Sequence, residues 1–586
     1  GTQIRGLGVR NYYVDDTPLV LYWGGDYPLE AVESVQALKG ATGFMYGFGS
    51  PGGAISYRTK RPTGAPMLST ELGFRGRSVI SGHLDSGGPL SEDGKLGYRV
   101  NLAADKGEEY NAAEIDRGLA SLALDYKFAP NLVWRSTFSY ENYDLSAEPF
   151  HVYWESYGDA VLPRVPTDWN NLHVDNSYYR YALFTGATSL DWRFSDAWSA
   201  TLDLGYTRKR HHSNKTFVDI LNQAGDYDGF VYQFGELDRA KYAQARVQGE
   251  ATTGPLRHDL VFGASWQKAD GSFGDNSVYS NDFGGNIFAA QPYLIPGVAD
   301  TSTDGYPYDE RQTAAFASDT IHFGKHWQAI LGLRHTDYEQ RDSNYKTSVV
   351  SPTVALLYKP IDKTTLYASY VESMEGGGRV LDPIYANFGA TLEATISKQY
   401  EAGFKYDGKD WRLTAAAFRI ERVEPIDEQR GADLFLVQDG LTVYNGVELI
   451  GETDVTDDLT LGLGLVHLDA AIEDVSTANA AIEGNRPFET AEWQAVANAS
   501  YNVPPIRGLS LHGDVRYSGS APTDSSNVLF IPGYMLASAG FSYDFNVAGK
   551  DVQFIGNINN LFNEKYWGLE NFGESRNGTL ALRVKW

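Results

Sequence analysis

The chain has 586 residues and no cysteine, which excludes a disulfide framework and any thiolate metal site. Its 75 acidic residues outnumber 49 lysines and arginines, and the resulting net charge of −26 opposes a nucleic-acid-binding role. Aromatic residues make up 13% of the chain, too many for a disordered protein, and no apolar run is long enough for a membrane-spanning helix.

The first 62 residues differ in pattern from the rest of the chain. A strand-like run over 32–40 leads into a glycine-rich segment, and Pro62, Gly64 and Pro66 then predict a linker. Gly47, Gly49 and Gly52 spell the dinucleotide-binding fingerprint. However, Pro51 and a β-branched run follow where that motif requires a helix, so the glycines predict a turn. We expect one domain over 1–62 and a second over 63–586.

Segments of about ten residues that alternate apolar and polar side chains fill the second domain. In 198–207, for example, Trp198, Leu202 and Leu204 alternate with Ser199 and Asp203. This period predicts strands with one apolar and one polar face, as in a soluble β-sandwich, a propeller or a transmembrane barrel.

Three features favour the transmembrane barrel. Aromatic residues stand at strand ends, as at Trp134, Trp198, Trp411 and Tyr517, and the chain closes on Trp586. Short connections alternate with long polar ones, which we expect over 208–240, 270–310 and 421–441. The predicted fold class is therefore all-β.

No motif of catalysis is present. The sequence has neither a Gly-x-Ser-x-Gly elbow nor a His-Glu-x-x-His zinc motif, and no two carboxylates are paired by spacing as acid and base. His211 and His212 lack a third ligand at metal spacing and are expected in a solvated loop. We predict no enzyme activity, no catalytic residue and no metal site.

Short motifs along the whole chain, in the right order, resemble TonB-dependent outer-membrane receptors of the siderophore type. They are Ile4-Arg5-Gly6, Tyr13-Val14-Asp15-Asp16, Leu38-Lys39-Gly40, Ser50-Pro51-Gly52-Gly53, Gln399-Tyr400-Glu401-Ala402-Gly403, Tyr444-Asn445-Gly446-Val447-Glu448 and Asn559-Asn560-Leu561-Phe562-Asn563. The sequence departs from the family at Asp16, where glycine is usual, and at Ala41, where proline is common.

The resemblance implies a barrel of about 22 antiparallel strands with the N-terminal segment as a plug in its lumen. It implies energy-dependent uptake of a ferric siderophore across the Gram-negative outer membrane, with TonB as the energy-coupling partner and outer-membrane lipid and lipopolysaccharide around the barrel. No resident cofactor is expected, since iron would enter only within the chelate. Plugs of the family are longer, so we expect the rest of the plug, with the TonB box, to precede Gly1.

The resemblance also implies candidate ligand contacts at the outer surface of the plug and in the outer loops. Aromatic rings offer flat, rigid contact area to a bulky chelate, and an arginine suits an anionic one. The candidates are Tyr22 and Trp23, then Arg10 and Tyr27, and in the outer loops Tyr153, Trp154, Tyr306 and Tyr308.

Related receptors bury a cluster in which two basic plug residues face two barrel glutamates. The matching positions here are Arg5, Lys39, Glu401 and Glu448. Two positive and two negative charges cancel, so the group can stay ionised away from water. We expect Arg5 and Lys39 within ion-pair distance of the glutamates.

Two alternatives remain at this stage. The ligand of such a receptor could be cobalamin, another metal chelate or an oligosaccharide. From a different class, the chain could be a passive porin or a structural barrel.

Overall fold

A computed structural model describes residues 2–19, 27–41, 49, 51–159, 161–172, 174, 176–274, 278–289, 305–380, 382, 384–423, 425–569 and 571–586, without the side chains of 278–282 and 306. Within these ranges the structure is almost entirely β. Three single-turn 3₁₀ helices cover Leu29–Ala31, Trp169–Asn171 and Ala480–Ile482. No helix in these ranges has the length and apolar composition to cross a membrane.

The strands fall into a short N-terminal set and a long series that follows it. The first set is β1 Gln3–Ile4, β2 Leu7–Gly8, β3 Asn11–Val14, β4 Thr17–Leu19, β5 Val32–Lys39 and β6 Gly53–Thr59. The series is β7 Met67–Arg75, β8 Val79–Pro89, β9 Leu96–Glu108, β10 Glu114–Ala129, β11 Leu132–Ser146, β12 His151–Tyr153, β13 Tyr178–Arg193, β14 Trp198–Ile220, β15 Asp226–Thr253, β16 Leu256–Gly274, β17 Val278–Asn286, β18 Gly305–Phe323, β19 Trp327–Gln340, β20 Tyr345–Tyr358, β21 Thr364–Glu375, β22 Thr395–Asp407, β23 Trp411–Arg422, β24 Pro425–Arg430, β25 Asp433–Gln438, β26 Leu441–Thr456, β27 Leu459–Glu473, β28 Trp493–Asn502, β29 Leu509–Ser518, β30 Ala521–Pro522, β31 Phe530–Ile531, β32 Tyr534–Val547, β33 Lys550–Asn559 and β34 Asn577–Lys585.

A closed barrel of 22 strands is the main body of the described chain. Neighbouring wall strands pair antiparallel in sequence order, and β34 pairs with β7 to close the ring. At the junction, the Trp586 backbone N–H donates to the Leu68 carbonyl, and its indole donates to Thr70. The predicted all-β barrel with about 22 strands is confirmed.

Strands β3 to β6 form a separate four-stranded sheet, called here the plug sheet, in the order β4-β3-β6-β5. Tight two-residue turns shape it and the small hairpin before it. The turn between β3 and β4 places Asp15 at φ 46° and Asp16 at φ 67°, a left-handed conformation that aspartate tolerates better than most residues. Arg58 donates two hydrogen bonds to the Asp16 carboxylate, and Thr59 donates two to Asp15. These bonds explain how Asp16 stands where the family usually has glycine.

The barrel carries its apolar side chains on the outside. On β14, Leu202 and Leu204 are exposed while Asp203 between them is buried. Trp411, at the start of β23, stacks on Tyr406 with ring centroids 4.0 Å apart, near the end that has short turns. This inside-out alternation is what a lipid-facing wall around a polar interior requires.

The predicted long loop over 208–240 is wrong. β14 continues to Ile220 and β15 begins at Asp226, so a five-residue turn joins two strands that project beyond the apolar band. Beyond Tyr206 the outward side chains include Arg208 and Arg210, while Lys209 points inward. Both faces are polar there, so hydropathy no longer alternates although the hydrogen-bonded ladder continues. Likewise, the predicted loop over 421–441 contains the hairpin β24–β25.

The last strand tests the orientation of the wall. Leu582 is exposed on the outer face, whereas Arg583 forms an ion pair with Glu71 at 2.7 Å. Leu582→Arg should cost about 2–4 kcal/mol of folding free energy if the side chain faces lipid near the midplane. The matched Arg583→Leu should assemble far better. Folded outer-membrane yield of the two variants checks this, and equal yields would contradict the orientation.

Candidate functional site

The arginine of the Ile-Arg-Gly motif lies at the tip of the hairpin β1–β2. Arg5 at φ 57° and Gly6 at φ 79° form its two-residue turn. This turn carries the Arg5 guanidinium to the barrel wall. Nη1 lies 2.7 Å from Glu401 Oε2 on β22, and Nη2 lies 2.8 Å from Glu448 Oε1 on β26.

Lys39, at the end of β5, completes the group with its Nζ 3.2 Å from Glu448 Oε2. Beside it, Gly40 stands at φ 81° against Gln399, whose Oε1 accepts a hydrogen bond from Ala41 N at 2.6 Å. A Cβ at position 40 would lie 2.3 Å from that side-chain oxygen. Any other residue would be strained at this positive φ, and its Cβ would displace the Gln399 amide, so glycine suits the close approach of plug and wall.

The four side chains form one charge cluster. Arg5, Glu401 and Glu448 are shielded from water, whereas the Lys39 side chain is 31% exposed. The Arg5 side chain is 2% exposed and that of Glu448 is 5% exposed. Burial lowers the pKa of Arg5, but the hydrogen bonds and charges of Glu448 and Glu401 outweigh it and raise that pKa. The Arg5 guanidinium also lies 4.0 Å from the centre of the Phe418 ring. The structure thus brings together Arg5, Lys39, Glu401 and Glu448. Their ion pairs fix the plug, which comprises β1 to β6, to β22 and β26.

A second charged contact, which the sequence did not predict, joins the plug to the opposite wall. Glu30 accepts two hydrogen bonds from Arg117 on β10, at 2.6 and 2.9 Å. Arg117 also donates to Asp105 on β9 at 2.8 Å and to Glu141 on β11 at 2.5 Å. Burial raises the pKa of Glu30, but the hydrogen bonds and charge of Arg117 outweigh it and hold the pKa below its ordinary value.

The predicted plug contacts have different surroundings. Arg10 is exposed, directly after the buried Val9. Tyr27 is buried, and its hydroxyl lies 3.2 Å from Ser139 and 3.4 Å from Thr185 on the wall. Burial raises the pKa of Tyr27 to about 12. Tyr22 and Trp23 lie outside the described residues.

The loop candidates belong to well-packed surroundings. Trp154 is buried in an aromatic group, called here the outer aromatic cluster, that joins the connections 147–177 and 560–576. Its members include Phe150, Trp154, Trp169, Trp567 and Phe572. Each indole N–H is bonded: Trp154 to the Leu569 carbonyl, Trp567 to the Pro163 carbonyl, and Trp169 to Ser575.

Tyr153 stacks on Phe217 with centroids 5.4 Å apart, beside that cluster. Tyr308 is half-buried and donates to Asp238 at 2.5 Å. The side chain of Tyr306 lies outside the described residues. Tyr153 and Tyr308 therefore each have a structural partner, and a ligand role for any of these tyrosines stays a prediction.

The expectation of a solvated loop around His211 is wrong. His211 is fully buried on the inner face of β14, and its Nδ1 lies 3.3 Å from Glu236 Oε2 on β15. Glu236 follows His211 by 25 residues, a separation that becomes direct pairing only in the β14–β15 ladder. In the described part of the chain, no three His, Asp or Glu side chains are arranged to hold a metal ion.

The wall glutamates allow a matched comparison. Glu448→Ala leaves Arg5 and Lys39 with one glutamate, and loss of a buried partner costs about 3–5 kcal/mol. Glu452→Ala, four residues further along β26, removes a half-exposed carboxylate and should cost at most about 1 kcal/mol. Hydrogen exchange of the β5 and β6 amides measures plug docking. Equal exchange in the two variants would contradict a fixing role for Glu448.

Acid should weaken the contact between Glu30 and Arg117. Because the folded pKa of Glu30 is lowered, its stabilisation is complete above the ordinary glutamate value of about 4.3 and is lost as pH falls through the folded pKa. Hydrogen exchange around 29–31 should therefore accelerate, relative to its intrinsic rate, only below about pH 4. Glu30→Gln should lack this acid limb. Parallel acid limbs in both proteins would show that another group is responsible.

The comparisons with known proteins agree with this architecture. Residues 145–561 match the family model "TonB dependent receptor-like, beta-barrel". The ferrichrome receptor FcuA of Yersinia enterocolitica is 24% identical over 92% of this chain and 72% of its own length. Two solved structures from Acinetobacter baumannii share the fold: the ferric preacinetobactin receptor BauA (TM-score 0.87, 21% identity) and the siderophore receptor PiuA (TM-score 0.84, 19% identity). Each of the two alignments covers 100% of this chain and 90% of the solved chain.

The match covers well over half of the chain, and the closed barrel with its apolar outer wall fits the same assignment. A multi-pass barrel of this family resides in the outer membrane. The chain belongs to the family of TonB-dependent outer-membrane receptors.

Proposed function

We propose that this chain takes up a ferric siderophore across the outer membrane, with energy delivered by TonB. The observation that carries the proposal is a wide barrel whose plug is fixed to opposite walls, at Glu401 and Glu448 and at Arg117. A passive pore has no use for such a plug, because moving it requires work. The relatives and structural neighbours named above as ferrichrome, preacinetobactin and siderophore receptors support an iron chelate as the ligand.

The outer mouth favours a chelate without strong negative charge. Glu155 lies there, and burial raises its pKa, with further contributions from the carboxylates of Asp219, Asp427, Asp382 and Asp524. Carboxylates from several connections at one opening repel an anion and attract a cation. Arg10, exposed on the plug, is the described basic candidate for a ligand contact.

The remaining parts of the proposal follow from the same transport role. The ligand carries the iron, so the chain needs no resident cofactor and no catalytic residue. Lipid and lipopolysaccharide would surround the apolar outer face. TonB would act from the inner side, and the connections 147–177 and 560–576 would stand at the outer mouth.

Growth and uptake test the proposal together. An iron-starved strain with this chain as its sole receptor should grow on a subset of ferric siderophores, and uptake of the labelled chelate should stop when the proton gradient is collapsed. Cobalamin or oligosaccharide uptake instead would assign a different ligand. Uptake that continues without the gradient would refute active transport.

The variant Trp23→Ala tests the predicted ligand contacts most directly. Loss of a desolvated aromatic contact costs about 1–3 kcal/mol, so Trp23→Ala should weaken chelate binding roughly tenfold to a hundredfold. Thermal stability of the barrel should be unchanged. Trp154→Ala is the contrasting variant, because it removes a packed ring and should lower stability. Unaltered affinity in Trp23→Ala would remove that residue from the site.

A further inference from the structure

The contacts between the described part of the plug and the wall include three faces that differ in composition. One, called here the lock face, consists of Arg5, Lys39 and Leu7 against β22, β23, β26 and β27. A second packs Leu19 and Tyr27 against Tyr179 and Leu183 on β13. The third, called here the β8–β10 face, consists of 29–31 and 60–61 against β8, β9 and β10. These faces differ in the charges and apolar side chains that the wall would leave without a partner if the plug moved away.

On the lock face, the wall depends on the plug for its positive charge. Among the described residues, the cations within ion-pair distance of Glu401 and Glu448 are Arg5 and Lys39 alone. Both glutamates are strongly shielded from water. Withdrawal of the plug would leave two like charges without counterions, and such uncompensated charge is strongly destabilising until water replaces the plug.

On the β8–β10 face, the two buried aspartates each have an arginine of the wall as a partner. Asp85 is held by the wall residue Arg99 at 2.5 Å as well as by Lys60 of the plug at 3.0 Å. Asp105 is likewise held by Arg75 on β7 at 2.8 Å. If the plug moved away, these carboxylates would keep their wall arginines.

Separating the remaining ion pairs of this face costs little free energy. Glu30 adds a further carboxylate to Arg117, which already binds Asp105 and Glu141. Asp125 has the plug residue Arg61 as its partner, but its side chain is 21% exposed and so already meets water. Losing the plug contact therefore strands no buried charge here.

The apolar contact between plug and wall is also larger on the lock face than on the β8–β10 face. Leu7 packs into a cluster of Phe418, Ile420, Tyr444, Leu468 and Ala470 on the lock face. On the β8–β10 face, the buried apolar group is Ala31 with Ala103 and Leu119. Because hydrophobic stabilisation scales with apolar area removed from water, the β8–β10 face contributes less of it. Residues 60–66 connect β6 to β7 without strand pairing.

We propose that in transport the hairpin β1–β2 and the plug sheet stay docked on the lock face and part from β8, β9 and β10, so that the ligand passes between Ala31 and these strands. This inference rests on the proposed active transport. It assigns the inner face of β8–β10, with its alternating aspartates and arginines, as the polar lining of the passage.

Single cysteines test the parting without any ligand, because the chain has no cysteine of its own. Ala103 and Ala470 form a matched pair: each is 9% exposed, and each packs against the plug, on the β8–β10 face and on the lock face respectively. In cells that carry the energy-coupling complex, a water-soluble maleimide should label Ala103→Cys about tenfold faster when the proton gradient is present. Ala470→Cys should label at one slow rate. Faster labelling of Ala470→Cys, or no change at either position, would overturn the proposal.

Disulfide tethers test the same point in uptake. Oxidised Ala31→Cys/Ala103→Cys should lose at least about 90% of ferric-chelate uptake and regain it with dithiothreitol, because the disulfide prevents the plug from parting from β9. Oxidised Leu7→Cys/Ala470→Cys should transport like its reduced form. The reverse pattern would overturn the proposal. If the labelling result holds but the unmodified chain takes up no ferric chelate, the proposed function is wrong and the parting face still stands.

Discussion

The rest of the structure depends on two glutamates that the barrel wall cannot neutralise by itself. Among the described residues, Glu401 and Glu448 meet no cation of the wall, and Arg5 and Lys39 of the plug supply what is missing. An ionised carboxylate shielded from water is tolerable only with a partner at short range. The left-handed turn at Arg5 and the glycine at position 40 both serve this approach. A plugged barrel is therefore an electrostatic unit, in which removing one part leaves the other destabilised.

The parts of the structure that could be predicted are those encoded within short stretches of sequence. Alternation of apolar and polar residues indicates strands wherever one face meets lipid, as along β14 up to Tyr206. The charge cluster was predictable for a different reason: its members stand in motifs that resemble those of a known family, and the structure brings these four side chains together. Hydropathy alone would not have paired Arg5 with residues 396 and 443 positions away.

What could not be predicted depends on register between distant strands. Beyond Tyr206 both faces of β14 are polar, so the pattern that marks a strand disappears while the ladder with β15 continues. His211 was expected in solvent for that reason, although pairing places it, fully buried, beside Glu236. The contact between Glu30 and Arg117 was not predicted, because no motif marks Arg117. Such contacts appear only when strand pairing is known, because a shift by one residue turns every side chain to the other face.

The closure of the ring by β34 and β7 has a consequence for biogenesis. The pairing joins the final strand of the chain to the first strand of the wall, about five hundred residues earlier. Loop-closure entropy makes such distant pairing slow, so the cylinder is completed only after the last nine-residue strand is available. Until then β33 and β7 each keep an unpaired edge, which is prone to aggregate. Truncation of even the last few residues should therefore yield arrested, protease-sensitive chains rather than leaky receptors.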